Sequence, residues 1–205
     1  AVVLANVARD VATASRFCRL ALRMASQDEA KSVRAATYNV VGICVYHRSV
    51  HLRETLPIFQ AGYETGLETG NLEYAGYNAQ AFSQHALWSG KPLSEIEPQI
   101  NAYRQHCLDL NQVTAANYCL NYWETAVSLL DNPEHVALVF DRQADEEQLV
   151  AQAQASGDFL RMAGFYVHRM MLRYLLGDYA LAQADAEQAR HAIGSAAGFN
   201  FEAGL

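Results

Sequence analysis

The chain has 205 residues, of which 51% are hydrophobic, and a formal net charge of −7. This composition predicts a substantial core, and the acidic balance, without a cluster of Lys and Arg, argues against binding to nucleic acid or to an anionic membrane surface. No stretch approaches the ~18 uncharged apolar residues of a membrane span, so we expect a cytoplasmic protein.

The chain begins AVVLANVARDVATASRF, in which Arg9 and Asp10 come too early for the apolar region of a signal peptide. It also begins without Met, and we interpret residues 1–205 as a single helical-repeat domain excised from a longer protein. The first predicted helix, 3–25, carries more apolar side chains than one partner helix would cover: Val3, Leu4, Val7, Val11, Ala14, Phe17, Leu20 and Leu22. We therefore expect an exposed apolar face on this helix, because an end unit of a repeat array lacks a neighbour.

Apolar residues recur with the helical period along most of the chain, and there are only 4 prolines. The predicted helices are 3–25, 29–47, 52–69, 72–88, 94–111, 113–130, 144–155, 158–176 and 179–194. Ser94 and Glu97 have the spacing of a capping box at the start of the fifth helix. The sequence therefore predicts an all-α fold.

Four pairs of residues lie at the junctions between these predicted helices: Gly70-Asn71, Gly90-Lys91, Gly157-Asp158 and Gly177-Asp178. Glycine after an apolar helix is a typical C-terminal cap, and Asn or Asp caps the helix that follows. The segments after Gly70 and Gly177 place alanines at the same offsets, Ala75 and Ala79 in one and Ala182 and Ala186 in the other. The pattern favours antiparallel helix pairs with close contacts and a period near the ~34 residues of tetratricopeptide repeats. The predicted architecture is a tetratricopeptide-like right-handed superhelix.

The period breaks at DNPEHVALVFDRQADEEQ, residues 131–148, which opens with a turn signal. We interpret 131–157 as an irregular junction within the array. An alternative interpretation places a boundary between two subdomains there.

Two stretches resemble a known family: HLRETLPIFQAGYETGLETGNLEYAGYNAQAF, residues 51–82, and LLGDYALAQADAEQA, residues 175–189. They are similar to the tetratricopeptide-like region of large bacterial signalling proteins, notably from cyanobacteria. Those proteins combine a serine/threonine kinase, a STAND/AAA-type ATPase, the helical repeats, GAF domains and a histidine kinase. The resemblance implies a spacer and interaction region that is not itself an enzyme, inside a parent with kinase and ATPase domains.

The residues that would support catalysis or metal binding do not converge in the sequence. His47 and His51 are four apart, which suits zinc on one helix, but HRSVH lacks the glutamate of HExxH, and a solvated or capping pair is the favoured interpretation. SGKPL lacks the first glycine of a P-loop, and the HRD motif of a kinase is missing. The cysteines Cys18, Cys44, Cys107 and Cys119 lie in apolar surroundings typical of buried, reduced thiols, although a disulfide or zinc role stays open. We therefore expect no catalytic, metal-binding or cofactor-binding residue.

Aromatic residues form the strongest candidate site. They lie on neighbouring predicted helices: Tyr74, Tyr77, Trp88, Tyr118, Tyr122 and Trp123. One interpretation is that they fill gaps between helix pairs, and the other is an aromatic concave face that binds a peptide or a small ligand.

The predicted function is a non-catalytic scaffold that links the ATPase and sensor modules of a signal-transduction kinase. Its partners would be the neighbouring domains of the same polypeptide and a protein or small-molecule effector, without nucleic acid or membrane. Two alternatives stay open: a superhelical domain that senses an inducer or ligand in a STAND-type regulator, and a free-standing adaptor that binds peptides.

Overall fold

The structure is a computed structural model that describes residues 1–130 and 143–195. Within these ranges there is no strand, and the prediction of an all-α fold is confirmed. The described residues form ten α-helices: α1 Val2–Asn6, α2 Val11–Ala25, α3 Lys31–Cys44, α4 Leu52–Thr69, α5 Leu72–Trp88, α6 Leu93–Asp109, α7 Val113–Leu130, α8 Gln143–Ser156, α9 Phe159–Leu176 and α10 Tyr179–Ser195.

The first two predicted helices are each interrupted in the structure. The predicted helix 3–25 breaks into α1 and α2, because Arg9 has a φ of 55° and Asp10 caps α2 by accepting a hydrogen bond from the Thr13 N–H. The predicted helix 29–47 is a 3₁₀ turn at Asp28–Ala30, then α3, then a second 3₁₀ turn at Tyr46–Arg48. An apolar periodicity continues through both breaks, so periodicity alone does not locate them.

The predicted capping box at Ser94 and Glu97 is wrong. Helix α6 begins one residue earlier, after Pro92, and no side chain caps it. A capping box occurs instead at α4, where His51 Nδ1 accepts from the Arg53 N–H and Glu54 accepts from the His51 N–H. Histidine is outside the usual set of N-cap residues, which explains why the sequence pattern does not reveal this one.

The prediction that these glycines lie in turns that end helices is confirmed. Gly70 and Gly177 end α4 and α9 with φ of 73° and 91°, a region that residues with a Cβ rarely adopt. Asn71 and Asp158 cap the helices that follow, accepting from the N–H groups of Tyr74 and Arg161. The short turns bring consecutive helices back alongside each other.

The chain forms two compact units, 1–120 and 121–205, divided within α7. Part of the predicted junction, 131–142, lies outside the described residues, and 143–156 is helix α8. The C-terminal segment GFNFEAGL, 198–205, also lies outside them.

In the first unit, contacts between α4 and α5 run in opposite directions along the two helices. Thr55 near the start of α4 meets His85 near the end of α5, and a Cβ on Gly66 near the end of α4 would lie 2.9 Å from the Cβ of Ala75 near the start of α5. The two helices are therefore antiparallel and closely packed. Ala75 and Ala79 are fully buried, as the small-residue pattern predicts.

The same arrangement occurs between α3 and α4. Lys31 at the start of α3 pairs with Glu68 near the end of α4, at 3.0 Å, and Gly42 near the end of α3 faces Phe59 in the middle of α4. Helices α3, α4 and α5 thus pack in alternating directions.

In the second unit, α9 and α10 form an antiparallel pair around Gly177. Asp185 of α10 accepts hydrogen bonds from Arg169 and Arg173 of α9. Ala182 and Ala189 of α10 are buried, whereas Ala186 is half-buried. The predicted close contact at Ala182 therefore lies on the packed face of α10.

Candidate functional site

The candidate aromatic residues of the first unit do not all lie together. Tyr74 and Tyr77, near the start of α5, meet edge to face with ring centroids 5.7 Å apart, and the Tyr77 hydroxyl donates to Glu73. Trp88, at the end of the same helix, is 43% exposed. Fourteen residues of helix, roughly 21 Å, separate Trp88 from Tyr74, so these side chains do not form one patch. Tyr118, on α7, is half-buried.

In the second unit the structure buries one of the two candidates. Tyr122 is 3% exposed and packs edge to face against His168, with ring centroids 5.0 Å apart. Trp123 is half-buried. The Tyr122 ring thus fills the interior of its unit, and an aromatic face that binds a ligand stays a prediction.

The two histidines considered for zinc serve different structural purposes. His51 caps α4, as described above, whereas His47 lies in the 3₁₀ turn and its ring centroid is 5.9 Å from that of His85. Within residues 1–130 and 143–195, no group of three or more His, Cys, Asp and Glu side chains is arranged to hold a metal.

His85 is the centre of a buried polar contact that the sequence pattern does not reveal. Its Nδ1 lies 2.7 Å from the Thr55 hydroxyl oxygen, and its ring packs edge to face against Phe59. Burial, and to a lesser extent the nearby His47, lowers the pKa of His85 to about 3. The imidazole is therefore neutral at physiological pH and stabilises the packing of α4 against α5.

The second unit repeats this contact with other residues. His168 Nδ1 lies 3.1 Å from the Thr125 hydroxyl oxygen, and burial lowers the pKa of His168 to about 4. Neither histidine lines the grooves described below, and a buried neutral imidazole without access to substrate is a poor candidate for a general base.

Two buried thiols meet in the first unit. Cys107 and Cys119 share a hydrogen bond, and the Ser83 hydroxyl oxygen lies 3.6 Å from Cys119 Sγ. The hydrogen bond to Cys107, together with burial, raises the pKa of Cys119 well above its usual value. A protonated, inaccessible thiol is inert as a nucleophile. The predicted burial is confirmed for Cys18, Cys107 and Cys119, while Cys44 is half-buried.

The strongest charge cluster among the described residues of the second unit is internal. The Asp185 side chain is 2% exposed and lies 2.6 Å from Arg169 and 2.7 Å from Arg173. The Arg169 guanidinium also stacks 4.8 Å from the ring centroid of Phe165. The two ion pairs hold α9 against α10, so the cluster has a structural role.

Helix α2 presents the most distinctive exposed surface among the described residues. Its inner side packs Ala14 and Cys18 against Val41 and Val45 of the first unit. Its outer side carries three exposed apolar residues at spacings of three and four: Phe17 at 52%, Leu20 at 43% and Met24 at 58% exposure. The apolar face predicted for the first helix is thus present on α2.

A basic stripe lies directly beside these apolar residues. Arg16, Arg19 and Arg23 are exposed and have the same spacing, one position earlier. At about 100° per residue, the two stripes are adjacent on the helix surface. Helix α2 contains no Asp or Glu, and none of its three guanidinium groups forms a hydrogen bond or ion pair with the part of the chain that the structure describes.

Two open grooves flank α2. The larger, about 840 Å³, is lined by the three arginines, by Phe17 and Leu20 of the apolar stripe, and by Tyr46. The smaller, about 380 Å³, lies between Met24 of α2 and Val33 of α3, with Glu29 at its edge. We refer to the surface formed by Arg16, Phe17, Arg19, Leu20, Arg23 and Met24 as the α2 face. It offers shape, apolar area and charge for a macromolecular partner, without a nucleophile or a convergent acid and base.

The apolar half of the α2 face is visible in the sequence, but its function depends on what the fold leaves uncovered. Phe17 and Leu20 belong to the apolar excess of the first predicted helix. The adjacent arginines have a recognisable spacing of their own, and that spacing is the signal that would have indicated a binding face.

Comparison with models of known families, with curated proteins and with solved structures found no match for the chain. Among the described residues, no helix is long and apolar enough to cross a membrane.

Proposed function

We propose that the chain is a non-catalytic interaction scaffold, a tetratricopeptide-like region of a multidomain signal-transduction kinase. The observation that carries this proposal is the packing of consecutive antiparallel helix pairs together with an uncovered apolar and basic face on α2. Stacked helix pairs bury their small residues against each other and display long surfaces to partners.

In this proposal the helix pairs continue into a right-handed superhelix, and its partners are neighbouring domains of the same polypeptide. The described titratable groups support a structural rather than a catalytic role. The pKa values of His85 and His168 are lowered by burial, and the thiol of Cys119 is held protonated. None of these groups meets the requirement that a catalytic acid or base reach its substrate.

The proposal is tested in the full-length gene product by replacing residues 1–205 with an unrelated helical-repeat array of equal length. A scaffold that only spaces its neighbours would retain signal-dependent phosphorylation after this exchange, whereas a scaffold that contacts them would lose the dependence on signal. We expect the dependence on signal to be lost while basal phosphorylation persists. The exchange could instead abolish basal phosphorylation. If adding residues 1–205 as a separate chain then restored it, the chain itself would be catalytic, and the proposal would be contradicted.

A further inference from the structure

We propose that the α2 face binds an acidic amphipathic helix, with carboxylates opposite Arg16, Arg19 and Arg23 and apolar side chains seated against Phe17, Leu20 and Met24. This inference rests on the proposed function as an interaction scaffold and specifies the chemistry of one of its partners.

Charge complementarity identifies the partner. The chain carries a net charge of −7, yet its α2 helix has three arginines and no acidic residue. Guanidinium groups bind carboxylates through two parallel hydrogen bonds, which fixes the orientation of a partner as well as attracting it. The α2 guanidinium groups make no hydrogen bond or ion pair within 1–130 and 143–195, so such bonds would replace water rather than internal contacts.

The apolar stripe determines the partner's second property. Phe17, Leu20 and Met24 recur at helical spacing, so they match a helix whose own apolar residues recur at three and four. Aromatic and methionine side chains are enriched at the centres of protein interfaces, and methionine adapts to different partner shapes. An extended acidic tail without apolar residues would leave this stripe exposed to water.

The position of α2 fixes the geometry of the complex. The helix has 15 residues and is held at its N-terminus by the Asp10 cap and at its C-terminus by Arg34, which donates to the carbonyl groups of Ala25, Ser26 and Gln27. A rigid helix loses little conformational entropy on binding. A partner helix of about 14 residues would match its length of roughly 22 Å.

Three fluorescent synthetic peptides test the proposal by anisotropy. Each has 14 residues with leucines at helical spacing, and the flanking positions carry Glu, Gln or Lys. We expect the Glu peptide to bind, the Gln peptide to bind about tenfold more weakly, and the Lys peptide not to bind. Binding of the Glu peptide should weaken as salt increases.

Charge reversal in the protein supplies the reciprocal test. The variant R16E/R19E/R23E should lose about tenfold or more in affinity for the Glu peptide and should gain affinity for the Lys peptide. Single variants R19E and R190E form a matched pair, because Arg190 is also exposed on a helix but lies in the second unit. Only R19E should weaken binding. Circular dichroism of each variant verifies the fold, and R16Q/R19Q/R23Q serves if the triple reversal does not fold.

Three outcomes would overturn the proposal. The first is equal binding of the Glu and Gln peptides, and the second is unchanged affinity in R16E/R19E/R23E. The third is that the Glu peptide does not bind, while the chain captures anionic phospholipid vesicles or associates with itself. In that outcome the arginine variants abolish the capture or the self-association. If any of these occurs and signal dependence is still lost in the full-length replacement, the scaffold function stands and only the assigned partner is wrong.

Discussion

The Thr55 hydroxyl oxygen and His85 Nδ1 lie 2.7 Å apart where α4 packs against α5. The hydroxyl donates its single proton to the Leu52 carbonyl, at 2.6 Å, so it can only accept from the imidazole. His85 therefore carries its proton on Nδ1 and is neutral. Thr125 and His168 make the equivalent contact in the second unit, where the hydroxyl donates to the Asn121 carbonyl.

These buried histidines predict loss of stability in mild acid. The pKa values are about 3 for His85 and about 4 for His168, against 6.5 for a histidine side chain in water, so the unfolded chain binds more protons between these limits. The free energy of unfolding should therefore fall as pH drops below 6.5. At pH 5 each histidine should cost about 2 kcal/mol relative to pH 7.5.

Urea unfolding between pH 7.5 and pH 5 measures this effect, with His168→Gln as the comparison. Glutamine can still donate to Thr125 but does not titrate, so the variant should have a shallower pH dependence. An identical dependence in both proteins would mean that His168 does not contribute to it.

Gly66→Ala should destabilise the first unit, although alanine has a higher helix propensity than glycine. A Cβ there would lie 2.9 Å from both the backbone nitrogen and the Cβ of Ala75, and backbone atoms cannot rotate away. Helix propensity alone would add about 1 kcal/mol of stability, whereas overpacking should remove about 1–3 kcal/mol. Thermal unfolding of Gly66→Ala, with the exposed substitution Gln60→Ala as control, gives the sign, and an increase in the midpoint would exclude the close contact.

Ala182→Leu should destabilise the second unit through the same mechanism. Ala182 is 5% exposed on the packed face of α10, and three added carbon atoms should cost about 1–3 kcal/mol. Ala184, which is exposed on the same helix, provides the control Ala184→Leu. Equal unfolding midpoints for the two variants would mean that Ala182 does not lie on the packed face.

Asp185→Asn should leave Arg169 and Arg173 without their shared anion. The Asp185 carboxylate is buried and accepts from both guanidinium groups, so neutralising it should cost about 3 kcal/mol. Glu187→Gln removes an exposed carboxylate of the same helix and should change stability little. Denaturant unfolding gives the free energy of unfolding of each variant, and Asp185→Asn should lose much more of it than Glu187→Gln. Equal losses would contradict the internal role of Asp185.

The sequence predicts the helices well because their signals are local. Glycine at a left-handed turn, followed by Asn or Asp, marks the boundaries after α4, α8 and α9, and the alanines at 75, 79 and 182 indicate close packing correctly. The break at Arg9 is missed because its apolar neighbours continue the helical period.

The polar contacts are much less visible in the sequence. Thr55 and His85 are thirty residues apart, and nothing local specifies their pairing. Likewise, the sequence groups Trp88 with Tyr74, although one helix holds them roughly 21 Å apart. Burial and exposure depend on tertiary packing, and for this reason the α2 face emerges from the structure.

Site-specific photocrosslinking in the full-length gene product tests the central claim most directly. A photoreactive residue replaces Leu20 on the α2 face, and a second protein carries it at the exposed Gln188 on α10. If the scaffold uses the α2 face, position 20 should crosslink to an acidic helix of a neighbouring domain. The charge reversal R16E/R19E/R23E should reduce this crosslink, and position 188 should not give it. No crosslink from position 20 in a protein that responds to its signal would contradict the account.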